Sequence, residues 1–175
     1  IDPVHHRLRT LTSLCEAGAA PMVVASTVAI TQKTIDRKAF DAARHTIRTS
    51  QQVDLDQLMD LWQRMGYQFE SEVLAPGAAT RRGGIIDVFP VGSDLPARIE
   101  LWGNEISSIR LFDPSTQRSL EIVESVDVTP AHETLPALTD RDVLQGQIDG
   151  LDVSNCIDAA RDRIAEEFNL LLDGY

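Results

Sequence analysis

The sequence predicts a mixed α/β and α+β fold, in which part of a larger α/β domain is followed by an antiparallel sheet. Between residues 67 and 128 the chain runs in short segments of alternating apolar and polar residues, separated by turn residues, which is the pattern of half-buried strands. On both sides of that region the apolar residues recur at a helical period instead, which predicts helices that flank the sheet.

The first segment, residues 1–48, is predicted to contribute one αβ unit of a parallel sheet. Leu8, Leu11 and Leu14 recur at about a helical period and predict a helix. Residues 22–25 form a continuous apolar run, which predicts a strand covered on both faces, followed by a turn and a short helix.

The clearest predicted helix spans residues 54–65. Asp54 can accept backbone N–H groups as its N-cap, with Gln57 three positions later to complete a capping pair. Gly66 follows at the position that favours a left-handed residue. The apolar stripe of this helix consists of Leu55, Leu58, Met59, Trp62 and Met65.

Four strands are predicted after this helix. They span residues 83–89, 97–102, 106–112 and 120–128. The turn residues between them lie at 92–94, 103–104 and 113–115. Successive strands joined by short turns imply an antiparallel sheet, and such a sheet can keep one face open to a partner.

The last segment, residues 134–175, is polar, is broken at Pro136 and ends in a predicted helix. Ser154 is its predicted N-cap and the helix extends to about Leu172. An apolar stripe of this helix is predicted for Ile157, Ile164, Phe168 and Leu171.

The distribution of charge argues against binding to duplex DNA. The net charge is −11, and residues 119–175 hold 3 basic against 13 acidic side chains. Neutralisation of phosphates supplies most non-specific DNA affinity, so an acidic chain favours a protein partner. No run approaches the roughly 18 consecutive apolar residues of a membrane span. We therefore expect a cytoplasmic protein without membrane contact.

Motifs of catalysis and cofactor binding are absent from the sequence. It has no phosphate-binding loop, no H-E-x-x-H and no C-x-x-C, and Cys15 and Cys156 lie far apart. A small hydrolase that uses Asp87, Glu100 and Glu105 is the enzymatic alternative, but no predicted pocket would tune these carboxyls. We expect no catalytic residue, no metal and no cofactor in this chain.

Strand alternation singles out one row of side chains. If residues 97–102 form a strand, Ile99 and Leu101 point inward, and Arg98, Glu100 and Trp102 line the other face. An exposed Trp beside an Arg is typical of interface hot spots. An ordinary solvated face with a half-buried Trp and a weak Arg98–Glu100 pair is the alternative. Arg81 and Arg82 precede the neighbouring strand and are expected to reach the same surface.

These residues resemble a known module. The segments 82–90 (RGGIIDVFP), 92–100 (GSDLPARIE), 103–106 (GNEI) and 108–113 (SIRLFD) are similar to the UvrB-homology module. That module is shared by the excision-repair protein UvrB and by the transcription–repair coupling factors. The segments 92–96, 115–119 and 130–133 are more similar to the coupling factors. Residues 7–14, 22–24 and 29–32 resemble the end of the first domain of that family.

The resemblance implies a function. Coupling factors are ATP-driven DNA translocases that displace stalled RNA polymerase and recruit UvrA. Their amino-terminal region is a degenerate, helicase-like α/β domain without ATPase motifs, and the inserted antiparallel module docks onto UvrA. ATP and Mg²⁺, as well as the contacts with DNA and RNA polymerase, would then belong to other domains of the parent protein. The alternative is a fragment of UvrB that acts in damage recognition.

The resemblance also implies domain bounds and contact residues. Residues 1–48 would end the first α/β segment, residues 49–133 would form the UvrA-docking module, and residues 134–175 would begin the closing segment. Arg82, Arg98 and Trp102 match the positions of UvrA contacts, and Glu100 fills an acidic position on the same face. Where UvrB has a further arginine two residues before the Arg82 position, this chain has Thr80, with Arg81 beside it.

Overall fold

A computed structural model describes residues 3–15 and 22–173. The described residues divide into two compact units, the first ending at Glu133 and the second beginning at Thr134. The helices of the first unit are α1 (Pro3–Cys15), α2 (Thr27–Thr31), α3 (Arg37–Ala43) and α4 (Leu55–Arg64). Its strands are β1 (His45–Arg48), β2 (Gln68–Phe69), β3 (Ala78–Arg82), β4 (Ile85–Val88), β5 (Ala97–Trp102), β6 (Glu105–Phe112), β7 (Ser119–Val123) and β8 (Ser125–Val128). None of the helices in the described ranges is long and apolar enough to cross a membrane.

Six strands form one sheet in the order β2-β3-β4-β5-β6-β7, and β1 pairs with β8 in a second, two-stranded sheet. All neighbouring strands are antiparallel except the short pair β2–β3. The prediction of an antiparallel sheet with mixed α+β content is therefore confirmed. The helicase-like context stays a prediction.

Helix α4 has the predicted N-cap residue, Asp54, and the predicted left-handed residue after its end, Gly66. The side chain of Asp54 accepts the backbone N–H groups of Asp56 and Gln57 at 3.0 Å each, which satisfies donors that the first turn leaves free. Gly66 follows the helix with a φ of +91°, the left-handed conformation that glycine adopts without strain. Of the predicted stripe, Leu58, Trp62 and Met65 are buried.

The core lies on one face of the large sheet. Ile86, Ile99 and Ile109 face one another in register across β4, β5 and β6, and all three are fully buried. Arg81 is in register with Ile86, and its guanidinium donates to Asp56 of α4 at 2.6 Å. Helix α4 therefore lies on this face, and the opposite face of the sheet holds the residues in alternate positions.

The strand predicted over residues 83–89 is wrong at its start. Gly83 and Gly84 form the turn between β3 and β4, with a φ of +63° at Gly83. The sequence prediction missed β3, whose alanines and polar residues give a weak strand pattern. A two-glycine turn joins antiparallel strands tightly because glycine allows positive φ.

The strand predicted over residues 120–128 is two strands. β7 closes the edge of the large sheet, whereas β8 pairs with β1. The backbone N–H of Thr49 donates to the carbonyl of Glu124 at 3.0 Å, at the point where the chain leaves one sheet for the other. A continuous alternating pattern does not reveal such a change of partner, because the periodicity is the same in both sheets.

The buried parallel strand predicted at residues 22–25 is also wrong. Residues 22–26 have no regular secondary structure, and Met22 and Val24 are 94% and 91% exposed. A parallel strand needs neighbouring strands to hydrogen-bond its edges, and the described part of the chain supplies none there. The helix predicted before it, α1, and the short helix after it, α2, are both present.

The second unit contains a short 3₁₀ helix (Pro136–Leu138), α5 (Arg141–Asp149) and α6 (Asp158–Leu172). The predicted start of the last helix at Ser154 is wrong, since Ile157 is its N-cap residue and is 75% exposed. The backbone N–H of Ser154 instead donates to Asp152 in the preceding turn. The sequence prediction missed α5, which Asp140 caps.

Candidate protein-docking face

The face of the large sheet opposite α4 carries the predicted row of side chains, and we call it the candidate face. Two rows cross it in register. One row runs from Thr80 through Asp87, Arg98 and Arg110 to Ile122, and the other consists of Arg82, Ile85, Glu100 and Ser108.

One end of the candidate face is covered. Val73, Ala78, Phe89 and Phe112 form a buried apolar cluster there. The side-chain amide of Gln117 donates to the carbonyl of Pro114 at 2.8 Å, which holds the turn before β7. Elsewhere on the face Thr80 and Asp87 are buried, whereas Ile85, Trp102 and Ile122 are 37%, 86% and 74% exposed and form its open part.

Trp102 ends β5 and is the most exposed aromatic side chain among the described residues. It precedes a two-residue turn in which Gly103 has a φ of +62°. The register shift in the pairing of β5 with β6 leaves Ser107 of β6 without a partner in β5. Strand β5 itself continues regularly, so Trp102 follows Arg98 and Glu100 on the same face. An indole exposed to this extent on a rigid strand offers a large apolar contact at little loss of conformational entropy.

Arg98 is held tightly on the same face. Its Nε and Nη2 donate to the two carboxylate oxygens of Asp87 at 2.7 and 2.8 Å. Its guanidinium also lies over the ring of Phe112, at 4.7 Å from the centroid. The hydrogen bonds that Arg98 donates to Asp87 raise the pKa of Arg98 above its usual value. Only 20% of the Arg98 side chain is exposed. Arg98 therefore stabilises the sheet and also reaches the surface of the candidate face.

Glu100 and Arg110 form a second ion pair beside the first. Nη2 of Arg110 and the hydroxyl of Ser108 both donate to Oε2 of Glu100 at 3.0 Å. The two charged side chains are 29% and 37% exposed. The alternative of an ordinary solvated face predicted a weak ion pair between Arg98 and Glu100. These two side chains do not pair with each other, because Arg98 pairs with Asp87 and Glu100 pairs with Arg110.

Arg82 and Arg81 lie on opposite faces of β3. Arg82 is on the candidate face, where its Nη2 donates to the carbonyl of Ser71 at 2.7 Å. Arg81 donates to Asp56 of α4 on the other face. The expectation that both arginines reach one surface is therefore wrong for Arg81, because adjacent residues of a strand point to opposite sides.

Three residues of this face were missed by sequence reasoning. Arg110 and Ile122 extend the face towards the edge strand β7, and Asp87 is the partner of Arg98. Alternation along β6 places Arg110 with Ser108 and Phe112, so this signal was present in the sequence. The strand order that brings Arg110 beside Arg98 could not be predicted from alternation.

The carboxyls of the hydrolase alternative do not meet. Asp87 lies opposite Arg98, Glu100 lies opposite Ile85, and Glu105 accepts the side-chain amide of Gln52 at 3.0 Å. Asp87 and Glu100 lie on neighbouring strands, but each is paired with an arginine. Such an arrangement suits a docking surface better than acid–base chemistry.

Comparisons with known proteins agree with this geometry. Residues 46–133 match the family model of the UvrB interaction domain. The chain is 37% identical over 118 residues to a transcription-repair-coupling factor of Bacillus subtilis (strain 168), which covers 67% of the chain and 10% of the relative. It is 39% identical over 127 residues to a transcription-repair-coupling factor of Staphylococcus aureus (strain USA300), which covers 73% and 11%.

The chain spans about a tenth of the length of these curated relatives. The matched family region contains every strand of the large sheet and therefore the whole candidate face. On this evidence the chain belongs to the UvrB interaction domain family.

Proposed function

We propose that this chain is a protein-docking fragment of a transcription–repair coupling factor and that its candidate face recruits UvrA in nucleotide excision repair. The observation that carries the proposal is the exposure of Trp102 on the open face of the sheet, where it is 86% accessible. A Trp flanked by arginines is the composition of residues that dominate binding energy at protein interfaces.

The charge of the candidate face supports a protein partner of complementary chemistry. Arg82, Arg98 and Arg110 exceed the acidic side chains Asp87 and Glu100 on this face, whereas the whole chain carries a net charge of −11. This slight positive excess favours an acidic group on the partner, and the acidic remainder of the chain disfavours nucleic acid because it repels the phosphate backbone.

The activity of the whole protein is proposed on the same basis. Relatives that carry the matched region are named transcription-repair-coupling factors, which favours this parent over UvrB. The proposed parent is an ATP-dependent DNA translocase whose motor, with its ATP and Mg²⁺, lies outside this chain. Its contacts with DNA and RNA polymerase are made by other domains, and this fragment acts in the cytoplasm without catalysis of its own.

A titration of the chain against purified UvrA tests the proposal. We expect saturable one-to-one binding that weakens as salt is raised, because charged side chains surround the exposed indole. The absence of binding at the highest soluble concentrations of both proteins would refute the proposal.

A further inference from the structure

Asp87 stands out among the charged residues of the chain. It is 2% exposed and is the only charged side chain among the described residues that is fully buried. An isolated buried carboxylate is strongly unfavourable, so its environment must supply compensating donors. Arg98 supplies two of them.

The contacts between these residues fix the guanidinium of Arg98 in the sheet. Nε and Nη2 are occupied by Asp87, and Nη2 also lies 3.4 Å from Oε1 of Gln117. The ring of Phe112 lies beneath the guanidinium plane. A long side chain held by a fork of two hydrogen bonds and an aromatic ring has lost most of its rotamer freedom before any partner arrives.

One nitrogen of this guanidinium is left for a partner. Nη1 has no hydrogen-bond partner within residues 3–15 and 22–173. In the same part of the chain, Oγ1 of Thr129 is the only buried side-chain nitrogen or oxygen without a partner. Nη1 is therefore not fully buried, although 80% of the side chain is covered, since the exposed fraction of the Arg98 side chain is 20%.

We infer that Asp87 is a positioning residue for docking: it holds Arg98 so that Nη1 alone is presented to the partner. This inference rests on the proposed function. Because Nε and Nη2 are occupied, a partner carboxylate cannot make a bidentate contact along that edge of the guanidinium. The partner group at this position is a single hydrogen-bond acceptor, a carboxylate or carbonyl oxygen, that receives Nη1–H.

The physical benefit of this arrangement is preorganisation. Ordering a rotamer-rich side chain upon binding costs about 0.5–1.5 kcal/mol, which is up to about a ten-fold change in affinity. Because Asp87 orders the Arg98 side chain when the chain folds, this ordering cost does not arise again upon binding. The effect of Asp87 on binding must then pass through Arg98, whereas a merely structural role would be independent of Arg98.

A double-mutant cycle distinguishes these two roles. The variants are Asp87→Asn, Arg98→Gln and the combination of both, each titrated against UvrA with the folded fraction checked by denaturant unfolding. We expect Asp87→Asn to weaken binding about ten-fold in the presence of Arg98 and less than about two-fold in the Arg98→Gln background. Equal losses in the two backgrounds, or an unchanged affinity of folded Asp87→Asn, would overturn the inference.

Arg98→Lys keeps the protein foldable, because the ammonium group still pairs with Asp87. The single nitrogen of a lysine side chain would be occupied by Asp87, and no second nitrogen would be held towards the partner. We therefore expect about the same ten-fold loss of affinity for UvrA as for Asp87→Asn. Wild-type affinity in Arg98→Lys would contradict the role of Nη1.

A measurement on the free chain separates failure of this inference from failure of the proposed function. In the ¹H–¹⁵N spectrum we expect the Arg98 Nε–H to exchange slowly in the wild-type chain and rapidly in Asp87→Asn. Rapid exchange in the wild type would overturn the positioning role even if UvrA binds. Failure of the wild-type chain to bind UvrA would remove the proposed function, and the docking role of Asp87 with it.

Discussion

The indole N–H of Trp62 donates to Nε2 of His45 across 3.0 Å and links α4 to β1. Nε2 is therefore an acceptor, which requires a neutral imidazole with its proton on Nδ1, near the carbonyl of Ala43 at 3.4 Å. Burial lowers the pKa of His45 below 6.5, although Ala43 and Asp127 oppose this effect. Protonation of His45 would place two donors against each other.

We expect the free energy of unfolding to fall as the pH drops below about 6.5, the ordinary pKa of histidine. The unfolded chain binds a proton at that pH, whereas folded His45 does not until its lower pKa is reached. The stability contribution is thus complete above 6.5 and is lost between 6.5 and the folded pKa. Urea unfolding from pH 8 to 5 measures it.

His45→Gln should remove this part of the pH dependence, because its amide oxygen can accept the indole N–H without titrating. His6→Gln is the matched control, since His6 is exposed, and it should leave the curve unchanged. A pH dependence in His45→Gln identical to that of the wild type would assign the effect to other groups.

Gly66→Ala tests the end of α4. We expect a loss of at least about 1 kcal/mol, because alanine is strained at positive φ and because a Cβ would overlap the imidazole of His132. Adding His132→Ala to the Gly66→Ala variant should recover the part of the loss that is due to the overlap, but not the part that is due to backbone strain. The same substitution at Gly146, which lies within α5 and has open space for a Cβ, should be neutral or stabilising. Chemical denaturation compares all four proteins.

Asp54→Ala removes the N-cap of α4. The loss of its two hydrogen bonds to backbone N–H groups should lower the free energy of unfolding by about 1 kcal/mol. Asp60→Ala, in the same helix, removes only an exposed ion pair with Arg64 of 3.8 Å and should change it by less than about 0.5 kcal/mol. Equal effects of the two substitutions in urea unfolding would contradict the capping role.

Arg98→Ala and Arg82→Ala should differ in stability although both lie on the candidate face. Removal of Arg98 leaves the carboxylate of Asp87 buried without its partner. The expected loss is about 2–4 kcal/mol, at the lower end for a broken buried pair because Arg98 is partly exposed. Arg82 is exposed and bonds only a loop carbonyl among the described contacts, so its loss should be below about 1 kcal/mol. Thermal unfolding of the two variants decides the order.

Strand alternation predicted the candidate face from residues 97–102 because a period of two fixes which side chains share a side. It placed Trp102 in solvent and Ile99 in the core, as the structure confirms. It failed for Arg81, because residues 81 and 82 were taken to precede a strand that begins at Gly83. Both lie within β3, where adjacent residues point to opposite faces.

The environment of Arg98 was beyond local sequence patterns. Its partner Asp87 lies on another strand, and the ring of Phe112 comes from a third. These contacts depend on strand order and register, which emerge only when the sheet assembles. The same reason explains the split of residues 120–128 between two sheets. It also explains the failure at 22–25, where the described residues supply no partner strand.

The affinity of the chain for UvrA before and after Trp102→Ala tests the central claim most directly. Ile157→Ala is the control, because it also shortens a large exposed apolar side chain but lies in the second unit. We predict a loss of about 2 kcal/mol, roughly thirty-fold in Kd, for Trp102→Ala and no change for Ile157→Ala. Wild-type affinity of a folded Trp102→Ala protein would contradict docking through this face.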